Sequence, residues 1–244
     1  MLKFFRKIRQ QLITNGRAKK YFLYAIGEII LVVVGILIAL QINNWNENRK
    51  DRILEKEYLN RILVDIKSDQ ELLKVYTIDR YARKVECLEK TKAYYQGDYI
   101  ITDTIQFLND VGYGGVYGFV DWFLNKNTYN ELISTGNLRK IESDSLRTAI
   151  TTYYEISNAL QNSAKNYISG YIKFINSLKV FDINNPESIS EFDQKFMLKH
   201  IKSEEFYRLT NLELTLAHRV TKFADRIKKQ SEELVIMVDD ELKD

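Results

Sequence analysis

One acid, Glu28, lies inside an otherwise uncharged apolar run, YFLYAIGEIILVVVGILIALQI, from Tyr21 to Ile42. A carboxylate about 10 Å inside such a run is costly in a bilayer and usually faces a protein partner, a proton path or water. Gly35 and Ala39 follow seven and eleven residues later, within about 20° of Glu28 around a helix axis. Small residues let a second helix approach, so the three define a candidate transmembrane helix contact. The other reading puts Glu28 close enough to the interface to reach headgroups or Lys20. The glycine-rich stretch Gly112 to Gly118 lacks the Lys-Ser/Thr pair of a phosphate loop and follows no strand. Its aromatic neighbours Tyr113, Tyr117 and Trp122 form a candidate partner or ligand surface, against the plainer reading of a wide turn whose rings fold inward. Tyr153, Tyr154, Tyr167 and Tyr171 at helical spacing read as core packing rather than a small-molecule pocket. Cys87 has no paired histidine motif, and His200 and His218 match no zinc spacing. No catalytic residues, metal site or cofactor are expected, and the chain reads as a non-enzyme.

Charge shows where those residues are held. Residues 1 to 20 carry Lys3, Arg6, Lys7, Arg9, Arg17, Lys19 and Lys20 and no acid, whereas the whole chain of 244 residues has a net charge of only +3. A basic total that comes from a short head fits an anionic lipid surface better than nucleic acid. Met1, Phe4, Phe5, Ile8 and Leu12 recur at helical spacing among these charges, so within the basic amphipathic head, residues 1–20, Met1 to Ile13 reads as an interfacial amphipathic helix or, alternatively, a disordered basic tail. The run from Tyr21 to Ile42 spans about 33 Å as a helix, which crosses a bilayer. It is too long for a secretory signal, and the basic region before it is about 20 residues long. Arg17, Lys19 and Lys20 abut one end, while Asn43-Asn44-Trp45-Asn46 follows the other. The expected orientation is therefore head inside and bulk outside, periplasmic in a Gram-negative inner membrane.

FFRKIRQQL, KYFLYAIGEIILVVVGILIALQINNWNENRK and, later, TYNELISTGNLRKI at Thr128 to Ile141 resemble a large family of Bacteroidota membrane proteins of unknown function. The N-terminal likeness covers about 50 residues and is the more specific part. The resemblance implies a single-span inner-membrane protein and no activity.

The elements that follow are helical. Asn43 to Tyr95 contains no Pro or Gly, and Leu59, Ile62, Ile66, Leu73, Tyr76, Val85 and Leu88 keep helical spacing up to a stop at Gln96-Gly97. Thr102 to Asp110 predicts a short helix, residues 112 to 118 a loop, and Trp122 to Thr135 a helix closed by Gly136. Ser143 caps a long helix with a stripe from Leu146 through Tyr153 and Leu160 to Leu178. The loop 181–188 holds the only proline, Pro186, and a shorter element follows it. Ser203 to Leu242 predicts a final helix burying Leu209, Leu212, Leu216, Val220, Phe223, Ile227, Leu234 and Val238. The expected fold is all-α, a transmembrane helix (21–42) continuing into an extracytoplasmic bundle of long antiparallel helices (43–244).

Three functions fit. The first is a membrane-anchored interaction or scaffold module that docks a protein partner or forms a homo-oligomer. The second is a sensor-like ligand-binding bundle built on residues 112 to 118. The third is an energy-coupling subunit using Glu28, similar in layout alone to single-span subunits of proton-driven complexes.

Overall fold

The computed structural model describes residues 18–115, 124–165, 169–178 and 188–243, which are helical or irregular with no strand among them. The basic head up to Arg17, Tyr117, Trp122, Tyr167 and Pro186 lie outside the described residues. The chain divides into two compact units, Met1–Glu55 and Lys56–Asp244.

The first unit holds most of the apolar part of α1 (Ala18–Leu73). From Phe22 to Trp45 every side chain except Ala25 is exposed, including Leu31 at 75% and Leu37 at 58%. This is the one stretch among the described residues long and apolar enough to cross a membrane.

The second unit is built on a seam between long helices. After residue 73 the helix makes a single π turn (Lys74–Ile78) and continues as α2 (Asp79–Gln96). Gly97 ends it at φ 90°, a left-handed conformation that glycine adopts without a Cβ penalty. A capped helix α3 (Thr104–Gly114) and α4 (Asn127–Thr135) lead to α5 (Asp144–Lys165). The short α6 (Tyr171–Leu178) and α7 (Glu191–Ile201) precede α8 (Glu204–Lys243). Side chains of Asp103, Ser143, Ser190 and Ser203 each accept a backbone N–H at 3.0–3.2 Å, closing the N-termini of α3, α5, α7 and α8.

α8 runs antiparallel to α1 and α2. Lys56 donates to the Leu242 carbonyl, Gln70 to Ser231, Lys84 pairs with Glu213, and Tyr95 stacks on Tyr207. The buried positions of α8 are Phe206, Thr210, Glu213, Ala217, Val220, Ala224, Ile227, Ser231, Leu234 and Val238. Their steps alternate strictly between four and three, the spacing that keeps one stripe facing a partner helix. α5 and α6 run parallel to α1 and α2: Tyr153 reaches Asp69, and Ser169 and Tyr171 reach Glu213 and Phe206.

Several expected details differ. In α1 and α2 the seam buries Thr77, Tyr81 and Lys84 while Tyr76 is exposed and Val85 half-buried, because the π turn inserts one residue and rotates everything after it. In α8, Thr210, Glu213, Ala217, Ala224 and Ser231 take the seam; Leu209, Leu216 and Phe223 flank it and Leu212 is exposed. Gly112 to Gly114 is helix, not loop. A Cβ on Gly114 would lie 2.8 Å from Leu88 Cδ2 and 3.0 Å from the Tyr171 hydroxyl, so that glycine serves a close approach. The stripe from Leu146 to Leu178 is broken at Ser169-Gly170, where the Ser169 hydroxyl turns to Glu213 and the bare Cα of Gly170 admits Leu209. α4 begins at Asn127 rather than Trp122.

Candidate functional site

The most concentrated polar chemistry of the second unit lies where α1, the segment 124–126 and α5 meet. Asp65 and Asp69 are one turn apart on the buried face of α1, 7% and 3% exposed. The Asn125 backbone N–H donates to Asp69 Oδ1 at 2.7 Å, and its side-chain amide donates to Asp65 Oδ1 at 2.7 Å. Tyr153 donates to Asp69 Oδ2 at 3.2 Å and Tyr154 to the Asn125 carbonyl at 3.4 Å. Lys126 pairs with Asn158. Asp65 Oδ2 and Ser157 Oγ are buried with no hydrogen-bond partner among the described residues. Burial pushes the Asp69 carboxyl up to about 7, with the Asn125 and Tyr153 hydrogen bonds pulling it down and the Asp65 charge adding to the rise. A cavity of about 10 Å³ lies beside it, lined by Asp69, Gln70, Leu73, Tyr153, Ile227 and Ser231. That holds one water at most. The arrangement ties three elements together and binds a proton near neutrality.

A second network sits farther along the seam. Lys84 and Glu213 form an ion pair with both side chains at most 5% exposed, and the Ser169 hydroxyl donates to the other carboxylate oxygen. The Tyr171 hydroxyl donates to the Val111 carbonyl at 2.9 Å. Charges this deep are retained when each has its partner, and removing one partner typically costs about 3–5 kcal/mol. Cys87 is buried nearby, and burial, then the charge of Asp110, pushes its thiol up to about 11. At neutral pH it stays protonated and weakly nucleophilic.

The Thr128 to Ile141 patch docks α4 onto α1. Glu131 accepts from Tyr58 at 2.9 Å and from both terminal nitrogens of Arg61, and Asn137 donates to the Tyr58 hydroxyl at 3.1 Å. Leu132 and Ile141 are fully buried.

Glu28, Gly35 and Ala39 all lie in the exposed part of α1, and a Cβ on Gly35 would meet nothing within 4 Å. Lys19 and Lys20 belong to the first turn of α1. Tyr113 is half-buried in the last turn of α3 with the Arg83 guanidinium 4.1 Å from its ring centre. The His200 ring lies against Phe196 at a tilt of 44°, and its Nδ1 lies 2.8 Å from the Phe196 carbonyl. His218 is exposed. Sequence reasoning missed both buried networks. The available signal was that Asp69, Lys84 and Glu213 occupy stripe positions that an apolar residue would otherwise fill.

A family model described as a family of unknown function, DUF6090, matches residues 28–197. The chain belongs to the DUF6090 family. The matched region begins at Glu28 and includes Asp65, Asp69, Asn125 and Tyr153 of the first network and Lys84, Val111, Ser169 and Tyr171 of the second. Glu213 and the rest of α8 lie beyond it. No curated protein and no solved structure matches the chain.

Proposed function

We propose that this chain is a membrane-anchored helical module that acts by docking a protein partner or a second copy of itself, without catalysis of its own. The observation that carries the reading is the exposure of every apolar side chain from Phe22 to Ile42 but one. A core helix would bury such a face, and a run of this length left in water would be strongly unfavourable. Beyond it, in the 56–243 region, buried Asp69 accepts from Tyr153 and buried Lys84 pairs with Glu213. That favours a rigid docking body over a reactive centre. The basic residues beside the span, Lys19 and Lys20, against the uncharged Asn43 to Asn46, favour a cytoplasmic head and an extracytoplasmic body, periplasmic in a Gram-negative inner membrane.

The test has two parts. The full chain is expected to resist alkaline extraction from native membranes, and alkaline phosphatase fused after Asp244 is expected to be active outside the cytoplasm. Mild solubilisation followed by native mass spectrometry is expected to give an assembly heavier than the 28.8 kDa chain. A species of monomer mass alone, at concentrations found in the cell, overturns docking. Comparison with Glu28→Gln then says whether the contact runs through the span.

A further inference from the structure

The apolar run ends on a tryptophan. Trp45 is 65% exposed and follows Ile42 by three residues, with Asn43, Asn44, Asn46 and Asn48 around it. Tyr24, 62% exposed, lies 21 residues earlier, about 32 Å along a helix axis. That separation matches the hydrocarbon thickness of a bilayer, about 30 Å, and amphipathic rings concentrate at its two boundaries. One turn after Trp45, the Arg49 guanidinium stands 5.9 Å from the centre of the indole ring, within the range of a cation–π contact. Arg49 lies about 6 Å farther along the axis than Trp45, inside the headgroup layer of about 5–8 Å per leaflet.

The neighbouring cations are held differently. Lys50 pairs with Glu47 at 3.5 Å and Arg52 with Glu55 at 2.6 Å. Arg49 makes no ion pair among the described residues, and its side chain is exposed. From Asn43 to Glu55 there are three bases (Arg49, Lys50, Arg52) and three acids (Glu47, Asp51, Glu55), so this turn has no net charge. It therefore differs from the basic head: it exerts no long-range pull on an anionic surface. What it offers is a short-range fit between a planar, two-pronged cation and the phosphodiester that zwitterionic lipids share with anionic ones.

We propose that the helical turn from Trp45 to Arg49 is a phospholipid-headgroup site, with the indole at the boundary of the hydrocarbon and the Arg49 guanidinium on a lipid phosphate. The inference rests on the anchoring reading above and names the partner of one end of the span. The site fixes the depth of α1 in the bilayer: the indole resists movement toward water and the guanidinium resists movement toward the chains.

The experiment uses the full chain with Trp122→Phe, which leaves Trp45 as the sole tryptophan, in phosphatidylcholine vesicles and in phosphorus-free galactolipid vesicles. Flotation reports anchoring independently of the site. In phosphatidylcholine, Trp45 fluorescence is expected to be quenched most by lipids brominated near the ester end of the chains. Arg49→Gln is expected to raise quenching by aqueous acrylamide, a neutral quencher, roughly twofold or more, since the turn then loses the guanidinium that a lipid phosphate holds at the headgroup. In galactolipid the wild type is expected to match Arg49→Gln. If the chain floats but the two proteins quench alike in phosphatidylcholine, or if Trp45 is quenched chiefly at chain termini, the headgroup site is overturned and the anchor stands. If the chain does not float with either vesicle, the anchoring reading fails and the site with it.

Discussion

Burying the Asp69 carboxyl between Asn125 and Tyr153 couples the folding of the 56–243 region to pH. The native carboxyl titrates at about 7 against an ordinary 3.8. Below about pH 4 both folded and unfolded chains hold the proton, and the contribution is fully present. As pH rises toward 7 the unfolded chain releases that proton first, so stability falls; above 7 the loss levels off. The shift corresponds to roughly 4 kcal/mol as an upper figure. Asp69→Asn keeps an acceptor for the Asn125 N–H and removes the titration. Thermal unfolding of the full chain in detergent between pH 4 and pH 8 is expected to show the variant gaining on the wild type as pH rises. A pH-independent difference between the two would refute the assignment to Asp69.

At the scale of the element, the π turn is the feature to perturb. Apart from Asp65 and Cys87, each buried beside a seam residue, the buried steps from Leu59 to Leu73 alternate three and four; from Leu73 through Thr77 to Tyr81 they are four and four; beyond, through Lys84 and Leu88 to Thr91, the alternation resumes. Deletion of the exposed Val75 gives an unbroken alternation on a plain α-helix, so it is expected to leave the melting temperature unchanged or higher. Deletion of Glu86, equally exposed, rotates the remainder of α2 by about 100° and takes Leu88 and Thr91 off the seam. Each large apolar side chain so displaced loses about 1.5–3 kcal/mol, and a large drop in melting temperature is expected. Equal effects from the two deletions would rule out the register argument. The same particulars explain what the sequence made legible. The stops at Gly97 and Gly136 and the cap at Ser143 are local signals, visible without any partner, and the family patch around Thr128 is a short contiguous string. The π turn has no specific local signature: Lys74 to Ile78 is KVYTI, β-branched and aromatic and a weak helix former, but such a run does not announce an inserted residue; the insertion suits where α8 requires Thr77 and Tyr81 to face. Likewise the close approach at Gly114 and the break at Ser169 depend on Leu88, Tyr171 and Glu213, distant in sequence. Polar residues on the seam looked like interruptions of a stripe until their partners were in place.

For the whole molecule, the apolar run and the 56–243 body lie in separate units, so membrane insertion and folding are expected to fail separately. Val33→Arg with Ile36→Arg adds two cations near the centre of the run, each costing about 2.5–3.5 kcal/mol on insertion scales. Membrane retention is expected to be lost while hydrogen exchange of α2, α5 and α8 stays protected. Loss of protection in the body along with retention would show that the two units are not independent.

The hydrogen bond from Lys56 to the Leu242 carbonyl puts the start and the end of the 56–244 unit side by side. A force pulling those two points apart opens the seam like a zipper instead of shearing it, so only one turn of contacts bears the load at a time. The part-buried bond at Lys56 parts first, and Lys84 and Glu213, about 42 Å farther on, are separated only after the buried apolar contacts in between. A pull on the C-terminal end would peel α8 from that end one turn at a time, through Val238, Leu234 and Ile227, before it reached the Lys84–Glu213 pair.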